Sequence, residues 1–380
     1  MLRSIALQLA GRIALEIVSF GAAAATTVQA GSLAIDALIG EAAAAHPTGR
    51  AHGARAPGAP MDAGARGLLD GPPRGAPIAW TPDGLFLGMS DDALLERLRR
   101  IDVRRVKINT GGSSLNLKLT FADGSAAAFK PQQVWTSAMP RKEIAAFRID
   151  RALGLGAVPP AVTRVLAPGE VWAKLDPKSR PLAGRIRAEA SFRPDGSLAG
   201  EASYWIPTIA DLRLEGRSWN EWTRWMRAGE WIPDGSEWMA AQISSMIVFD
   251  YLINNVDRFS GANTLADERL ERLFYMDNSM GFDAAPDGHP KCLQNLDLLE
   301  RFSRRLVAAL ERMNVVRLRA ALAAEIGAPP ARSSSWSEDP PFPILLDEEV
   351  AGVMARRDRV LARVADLRGR LGDGAVLAFP

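Results

Sequence analysis

The residues that point most directly to chemistry are two aspartates, each following an apolar segment. Asp257, with Arg258 beside it, comes just after a segment that ends at Asn254-Asn255, and Asp277 ends a hydrophobic segment 20 residues later. Phosphoryl transfer needs one carboxylate to position or deprotonate the accepting hydroxyl and another to hold the divalent ion that bridges the phosphates. A single Asp in a loop is more often a turn or cap residue. The combination therefore predicts a phosphoryl-transfer site.

Asn263 follows Asp257 in the same predicted loop, and its amide oxygen is a suitable second ligand for the metal. The spacing is slightly long for this role, but Gly261 can adopt positive φ and let the loop bulge. The alternative is that Asn263 caps the loop and bonds only to backbone.

Lys130 and Glu143 complete the predicted charged set. Lys130 ends a strand-like segment and Glu143 lies near the start of a helix-like segment, where it is placed to hold the lysine against nucleotide phosphates. Taken one at a time, a lysine here is usually a solvated edge residue, and a glutamate near a helix start is favoured by the helix dipole alone.

Gly111 and Gly112 lie in a turn between two strand-like segments. Without side chains, their backbone N–H groups can approach a phosphate. A Gly-Gly turn that only closes a hairpin is the commoner case.

Hydrophobic periodicity indicates the elements that must position these residues. It predicts a first half of strands around one helix and a second half that is mostly helical. The predicted strands are Val103 to Asn109, Ser114 to Phe121, Ala126 to Lys130 after an Asp123-Gly124 turn, Val162 to Leu166 and Glu170 to Leu175. The predicted helices are Arg141 to Leu153, Ser236 to Asn254, Phe302 to Ile326 and Asp347 to Leu371.

The N-terminal segment differs from the rest of the chain. In residues 1–30 a narrow polar stripe, which includes Arg12 and Glu16, runs along an otherwise apolar helix-like segment. This pattern favours an amphipathic helix that lies on a membrane, through residues 1–20, or on the folded domain; a degenerate export signal is the alternative. Residues 31–77 read as an Ala/Gly/Pro-rich linker, so the fold is expected to begin near Ile78.

Composition excludes several classes of site. Lys plus Arg total 46 against 44 Asp plus Glu, so no basic excess indicates a nucleic acid as partner. The single cysteine, Cys292, excludes an internal disulfide framework and cysteine-rich metal sites, and it is compatible with both the cytoplasm and export. Of three histidines only His289 lies in a folded-looking region, which argues against a histidine metal cluster. A hydrolase that uses a carboxylate pair explains neither Lys130 nor the glycine turn.

A run of tryptophans remains to be assigned. Trp219, Trp222 and Trp225 have helical spacing, and Trp231 follows. Core packing is the favoured interpretation because aromatic side chains bury most of their area. A platform for a sugar or peptide is the alternative.

Five stretches of the sequence resemble the secretory-pathway kinases, the family of the Golgi casein kinase, the proteoglycan xylose kinase and Four-jointed. They occur in the family's order over roughly residues 105 to 285 and read GGSSLNLKLTFADGSAAAFKPQQ, EIAAFRIDRALGLGAVPPAVTRVL, EASYWIPTIADL, VFDYLINNVDR and FYMDNSMGFD. The second and fourth are the most specific. The family's disulfides are absent, and the residues after Asp257-Arg258 depart from the Golgi casein kinase pattern.

The resemblance implies an α+β, two-lobed atypical protein-kinase-like fold, with a β-rich N-lobe at 78–204 and an α-rich C-lobe at 205–380. It implies that Lys130 and Glu143 pair over the nucleotide, that Asp257 is the catalytic acid/base and that Asp277 holds the metal. The segment from Tyr204 to Pro207, with Trp205 and Ile206, becomes the hinge beside the adenine.

The function that these observations predict is transfer of the γ-phosphoryl group of ATP, with Mg or Mn, to a hydroxyl of a protein or saccharide acceptor. The alternative is a pseudokinase, a nucleotide-binding regulator without turnover. Retention of all four charged residues, Lys130, Glu143, Asp257 and Asp277, argues against that alternative.

Overall fold

The structure of the protein is a computed structural model that describes residues 85–110, 114–134, 139–260, 263–323 and 343–380. All of these residues belong to the second of the two units into which the chain divides, Met61–Pro380. The predictions for residues 1–30, for the linker at 31–77 and for Gly111 and Gly112 lie outside the described residues. None of the described helices is long and apolar enough to cross a membrane.

The strands and helices follow one another in a β-rich half and a helical half. The strands are β1 (Leu85–Phe86), β2 (Met89–Ser90), β3 (Val103–Asn109), β4 (Asn116–Phe121), β5 (Ala126–Pro131), β6 (Ala161–Leu166), β7 (Leu198–Tyr204), β8 (Ala210–Asp211), β9 (Leu265–Ala266) and β10 (Leu273–Phe274). The α-helices are α1 (Asp91–Arg100), α2 (Arg141–Leu153), α3 (Glu170–Ala173), α4 (Ala183–Glu189), α5 (Trp219–Trp225), α6 (Glu237–Ile253), α7 (Pro290–Asp297), α8 (Arg304–Arg312), α9 (Val315–Ala323), α10 (Asp347–Leu371) and α11 (Asp373–Val376). A 3₁₀ helix spans Pro177–Leu182.

A five-stranded antiparallel sheet, in the order β3-β4-β5-β7-β6, forms the centre of the first half. Burial alternates along β4, where Leu117, Leu119 and Phe121 are buried and the residues between them are half-buried. The face that carries the half-buried residues includes Lys130, which lies opposite Glu201 of β7. The alternation along β4 is therefore the pattern of a strand with one face in the core.

Two predictions of secondary structure were wrong for local reasons. The segment from Glu170 to Leu175 was predicted as a strand, but it begins with the short helix α3. Glu170 stabilises that turn by accepting from the Ala167 N–H at 2.9 Å and pairing with Lys174 at 2.8 Å. The predicted helix from Phe302 to Ile326 is divided into α8 and α9 over its described residues, which end at Ala323. Met313 is extended, and the Asn314 side chain caps the second helix by accepting from Arg317 N–H at 2.9 Å.

Helix α2 has its predicted bounds and ends at Gly154, whose φ of +72° suits a left-handed C-cap. Helix α2 packs against strands β6 and β7 and against helices α8 and α9. Ten of its 13 residues are buried as a result. The helix that carries Glu143 is thus enclosed by both halves of the fold.

Candidate active site

Lys130 joins the sheet to two carboxylates from different parts of the chain. Its Nζ lies 2.5 Å from Oε1 of Glu143 in α2 and 2.5 Å from Oδ1 of Asp277, which follows β10. It also donates to Ser279 Oγ at 3.2 Å. Burial by itself lowers the pKa of the Lys130 ammonium, but the charges of Asp277 and Glu143 outweigh burial and raise the pKa above its ordinary value. Lys130 is therefore a fixed cation between two acids.

Glu143 also fixes the backbone of the loop after β10. It accepts from the Asn278 N–H at 2.9 Å and from the Ser279 N–H at 3.1 Å, and the Asn278 side-chain amide donates to it at 3.3 Å. Asp277, at the start of this loop, has a φ of +58°, which is uncommon for a residue with a side chain. The conformation that presents Asp277 to Lys130 is thus maintained by Glu143.

Asp277 is the most accessible member of this group, with 47% of its side chain exposed. The charge of Lys130 is the main cause that lowers the pKa of its carboxyl, against the opposing effect of burial. An ionised, accessible carboxylate offers the hard oxygen ligand that Mg²⁺ and Mn²⁺ prefer. Within the described parts of the chain, no three or more His, Cys, Asp or Glu side chains cluster as a metal site. A metal that is shared between one or two carboxylates and substrate phosphates needs no such cluster.

Asp257 lies in the loop after α6, which ends at Asn254 with a left-handed φ of +57°. Its N–H donates to Asn255 Oδ1 at 3.1 Å, while Asn255 Nδ2 donates to the carbonyl of Asp277 at 3.2 Å. The Asp257 carboxylate accepts from the Ser260 hydroxyl and from Asn263 Nδ2. Asn255 therefore links the two aspartate-bearing loops.

The side chain of Asn263 contacts Asp257 rather than Asp277. Its Nδ2 donates to the Asp257 carbonyl at 2.9 Å and to Asp257 Oδ2 at 3.3 Å. This is the geometry of the loop cap, but contact with a carboxylate goes beyond the predicted bonding to backbone alone. Because the amide nitrogen makes these contacts, the cap does not consume the amide oxygen, the atom that would bind a metal.

Arg258 and Asp250 form a buried pair beneath both loops. The guanidinium reaches Asp250 at 3.0 Å, donates to Asn278 Oδ1 at 2.9 Å and also donates to the Met276 carbonyl. No role for Asp250 or Asn278 was predicted from the sequence. The signal in the sequence for Asp250 is an acid within the apolar helix α6, eight residues before an arginine.

Glu201 is a further acid that the sequence analysis did not single out. It is fully buried and lies directly opposite Lys130 in the β5–β7 pair. Burial, followed by the negative charge of Glu143, raises the pKa of its carboxyl well above the ordinary value. The surroundings therefore favour the protonated form of Glu201.

The predicted hinge follows β7. The Trp205 N–H donates to the Ala126 carbonyl at 3.1 Å, and the Trp205 ring lies 3.9 Å from Lys118 Nζ. Ile206 is buried with Phe86 and Phe274, while Tyr204 packs against this group from a half-buried position. The segment thus joins the sheet to the second half of the chain at the end of β7.

The tryptophan run mostly packs in the core. Trp222 and Trp225 are buried, and Trp222 donates to the Leu214 carbonyl at 2.7 Å. Trp222 stacks on Phe259, the residue after Arg258, with ring centroids 5.8 Å apart. Trp231 is 72% exposed. The core interpretation is correct for Trp222 and Trp225, and their cluster supports the Asp257 loop.

Comparison with solved structures identifies the architecture. The Golgi casein kinase with Mn/ADP bound superposes with a TM-score of 0.56 at 17% identity, covering 76% of this chain and 78% of that one. A second Golgi casein kinase structure gives 0.55 at 17% identity, with 76% and 79% covered. The structure of hydra Fam20 with sugar gives 0.53 at 17% identity, with 74% and 90% covered. The chain has the fold of the Golgi casein kinase and hydra Fam20 structures. The predicted two-lobed α+β fold is confirmed.

The sequence comparison agrees with the secretory-pathway kinase resemblance. The Homo sapiens protein named glycosaminoglycan xylosylkinase is 23% identical over 336 residues, 75% of this chain and 77% of that protein. The Danio rerio protein of the same name is 23% identical over 320 residues, 72% of this chain and 74% of that protein. No protein-family profile matches the chain. The resemblance predicted from the five sequence stretches is confirmed by these relatives.

Proposed function

We propose that the protein is an ATP-dependent kinase that uses Mg²⁺ or Mn²⁺ to transfer the γ-phosphoryl group to a hydroxyl of a saccharide or protein. The observation that carries the proposal is Lys130 Nζ at 2.5 Å from both Glu143 and Asp277. The names of the similar proteins, a xylosylkinase and a casein kinase with Mn/ADP bound, support the same reaction class.

In this proposal Lys130 binds the nucleotide phosphates, and Glu143 holds the lysine in place. Gly111 and Gly112, which lie outside the described residues, are assigned to phosphate binding on their residue type alone, and Tyr204, Trp205 and Ile206 are assigned to the adenine. A lysine already paired with an acid loses little conformational freedom when a phosphate binds, which favours a preformed site.

Asp277 is the main protein ligand of the metal, with Asn263 as the second. The accessible carboxylate of Asp277 and the amide oxygen of Asn263 are both ligands that Mg²⁺ and Mn²⁺ accept. The metal, when bound, neutralises charge that develops on the phosphates. Asn263 also orients Asp257 through its amide nitrogen.

Asp257 is the catalytic acid/base that receives the proton of the accepting hydroxyl. Its carboxylate is held by Ser260 and Asn263 and is partly exposed, so that an acceptor can reach it. The protein then contributes positioning and charge, and no covalent intermediate is needed.

The proposal is tested with the full chain, ATP labelled in the γ-phosphate, and Mg²⁺ or Mn²⁺. One acceptor is casein and the other a xylose-containing saccharide, each with and without the Asp257→Ala exchange. Metal-dependent transfer to either acceptor that is lost in the variant supports a kinase. Nucleotide binding without transfer to an acceptor or to water contradicts the proposal and favours the pseudokinase.

A further inference from the structure

The N-terminal turn of α2 has one acidic residue, Glu143, and its carboxylate is engaged by Lys130 and by the Asn278 and Ser279 amides. Pro140 stands at the cap position and provides no side-chain cap. Arg141 and Lys142 follow, so two cations lie at the positive end of the helix dipole. Both are 8% exposed, which removes most of the solvent screening that would make such charges tolerable. Because Glu143 is already engaged, Arg141 and Lys142 need a second anion from another part of the chain.

Glu349, in the first turn of α10, is that anion. Arg141 contacts both of its oxygens, with Nη1 at 2.6 Å and Nη2 at 2.9 Å, and Lys142 Nζ lies 3.6 Å away. Arg141 also donates to the Ile344 carbonyl at 2.6 Å, and Glu349 accepts from the Leu346 N–H at 2.8 Å. The two parallel bonds between the Arg141 guanidinium and the Glu349 carboxylate fix the orientation of the two groups as well as their separation.

The pair connects segments that are far apart in sequence. Arg141 and Glu349 are separated by 208 residues, and Glu349 is 6% exposed. Two positions after Arg141, the Glu143 carboxylate holds the Asn278 and Ser279 amides and the Lys130 ammonium. A shift or unwinding of this turn would therefore move Glu143 away from three partners at once.

We infer that Arg141 and Glu349 are positioning residues of the phosphoryl-transfer site, which hold the first turn of α2 so that Glu143 meets Lys130 and the Asp277 loop. This positioning role rests on the proposed function only for the measurement of kcat; hydrogen exchange tests it independently. The long helix α10 thus acts as a fixed support for α2, the helix that carries Glu143.

The test uses the full chain with Glu349→Gln, which removes the charge and keeps the shape. Hydrogen exchange of the Asn278 and Ser279 amides reports directly on their bonds to Glu143. We expect exchange to quicken by about tenfold or more, and kcat to fall by about tenfold or more with a smaller change in KM, because the site is mispositioned before chemistry. In a Glu143→Gln background, Glu349→Gln should lower kcat little further.

Asp91→Asn is the matched control. Asp91 pairs with Arg151 at the opposite end of α2, at 2.6 Å and with similar burial, so its loss weakens the same helix without touching the Glu143 turn. We expect lower thermal stability with unchanged exchange at Asn278 and Ser279. If Glu349→Gln does not fold, Arg141→Lys, which keeps the charge and loses the fork, replaces it.

The outcomes separate the two proposals. A folded Glu349→Gln or Arg141→Lys protein with wild-type exchange at Asn278 and Ser279 overturns the positioning role. Equal quickening in Asp91→Asn also overturns it, because the effect would then be general loosening of α2. A wild-type protein that transfers no phosphate refutes the proposed function, whereas the exchange result still decides the positioning role.

Discussion

Arg258 and Asp250 form a pair that is almost inaccessible to solvent, with their side chains 1% and 6% exposed, and Arg258 extends from it to Asn278. The residue before Asn278 is Asp277, and the residue before Arg258 is Asp257. One guanidinium therefore sets the separation of the two aspartates to which we assign proton transfer and metal binding.

Asp250→Asn should lower both stability and activity. The exchange leaves the Arg258 cation buried without its counter-charge, and losing one partner of a buried pair costs about 3–5 kcal/mol of unfolding free energy. Chemical denaturation and kcat of the folded fraction measure the two effects. Asp373→Asn breaks an exposed pair with Arg368 and should change neither quantity appreciably. Wild-type stability of Asp250→Asn would contradict the assigned role of the pair.

Local sequence patterns were enough to predict several of the elements that carry the site. Helix α2 was predictable because an apolar stripe ends at Gly154, and β4 because alternate residues are apolar. The bonds from Glu143 to Asn278 and Ser279 were not predictable, since they span 135 and 136 residues. Tertiary contacts of this kind leave no periodic signal in either segment.

The same limit explains what the sequence analysis assigned incorrectly or omitted. Asn314 ends the first helical segment by capping α9. The apolar pattern continues across Asn314, so the sequence does not reveal that α8 and α9 are separate helices. Glu201 occupies a strand position where a buried acid is unusual, so only the pairing of β5 with β7 shows that it faces Lys130.

Asp257→Ala should lower transfer by about 10²- to 10⁴-fold while folding and nucleotide binding remain near wild type, since the side chain acts on the acceptor hydroxyl. Steady-state transfer and a nucleotide titration of the folded protein measure the two properties. Asp267→Ala, in the loop between β9 and β10, is a control of the same residue type outside the Lys130 group. Near-normal kcat in Asp257→Ala would refute its catalytic role.

Lys130→Ala and Glu143→Ala should each weaken productive nucleotide binding, and the double variant should lose much less than the sum of the two. The residues act as one unit because each side chain contacts the other at 2.5 Å. A double-mutant cycle on kcat/KM gives the coupling directly. Strict additivity would mean that the pair does not operate together during turnover.

Glu201→Gln should change how stability depends on pH. The raised pKa of Glu201 means that the unfolded chain loses this proton near its ordinary value of 4.5 while the folded protein retains it, so wild-type stability falls as pH rises above that value. The glutamine variant lacks this loss, and its relative stability should therefore rise with pH by up to about 1.4 kcal/mol per pH unit. Denaturation at several pH values measures the difference; exposed Glu348→Gln serves as control. A difference that does not vary with pH would rule out a neutral Glu201.

The two metal-ligand assignments predict different losses. Asp277→Ala should abolish metal-dependent nucleotide binding, because it removes a negative charge as well as an oxygen ligand.

Asn263→Ala should have a smaller effect on metal binding than Asp277→Ala. It should raise the metal concentration for half-maximal activity and lower kcat, since it also releases Asp257 from its 2.9 and 3.3 Å contacts. Asn263→Asp separates the two roles: it keeps an oxygen for the metal but replaces the amide donor with a charge that repels Asp257. Titration of Mg²⁺ and Mn²⁺ at saturating ATP distinguishes them. Unchanged metal dependence in Asn263→Ala with lowered thermal stability would make Asn263 a loop cap alone and leave Asp277 as the principal protein ligand.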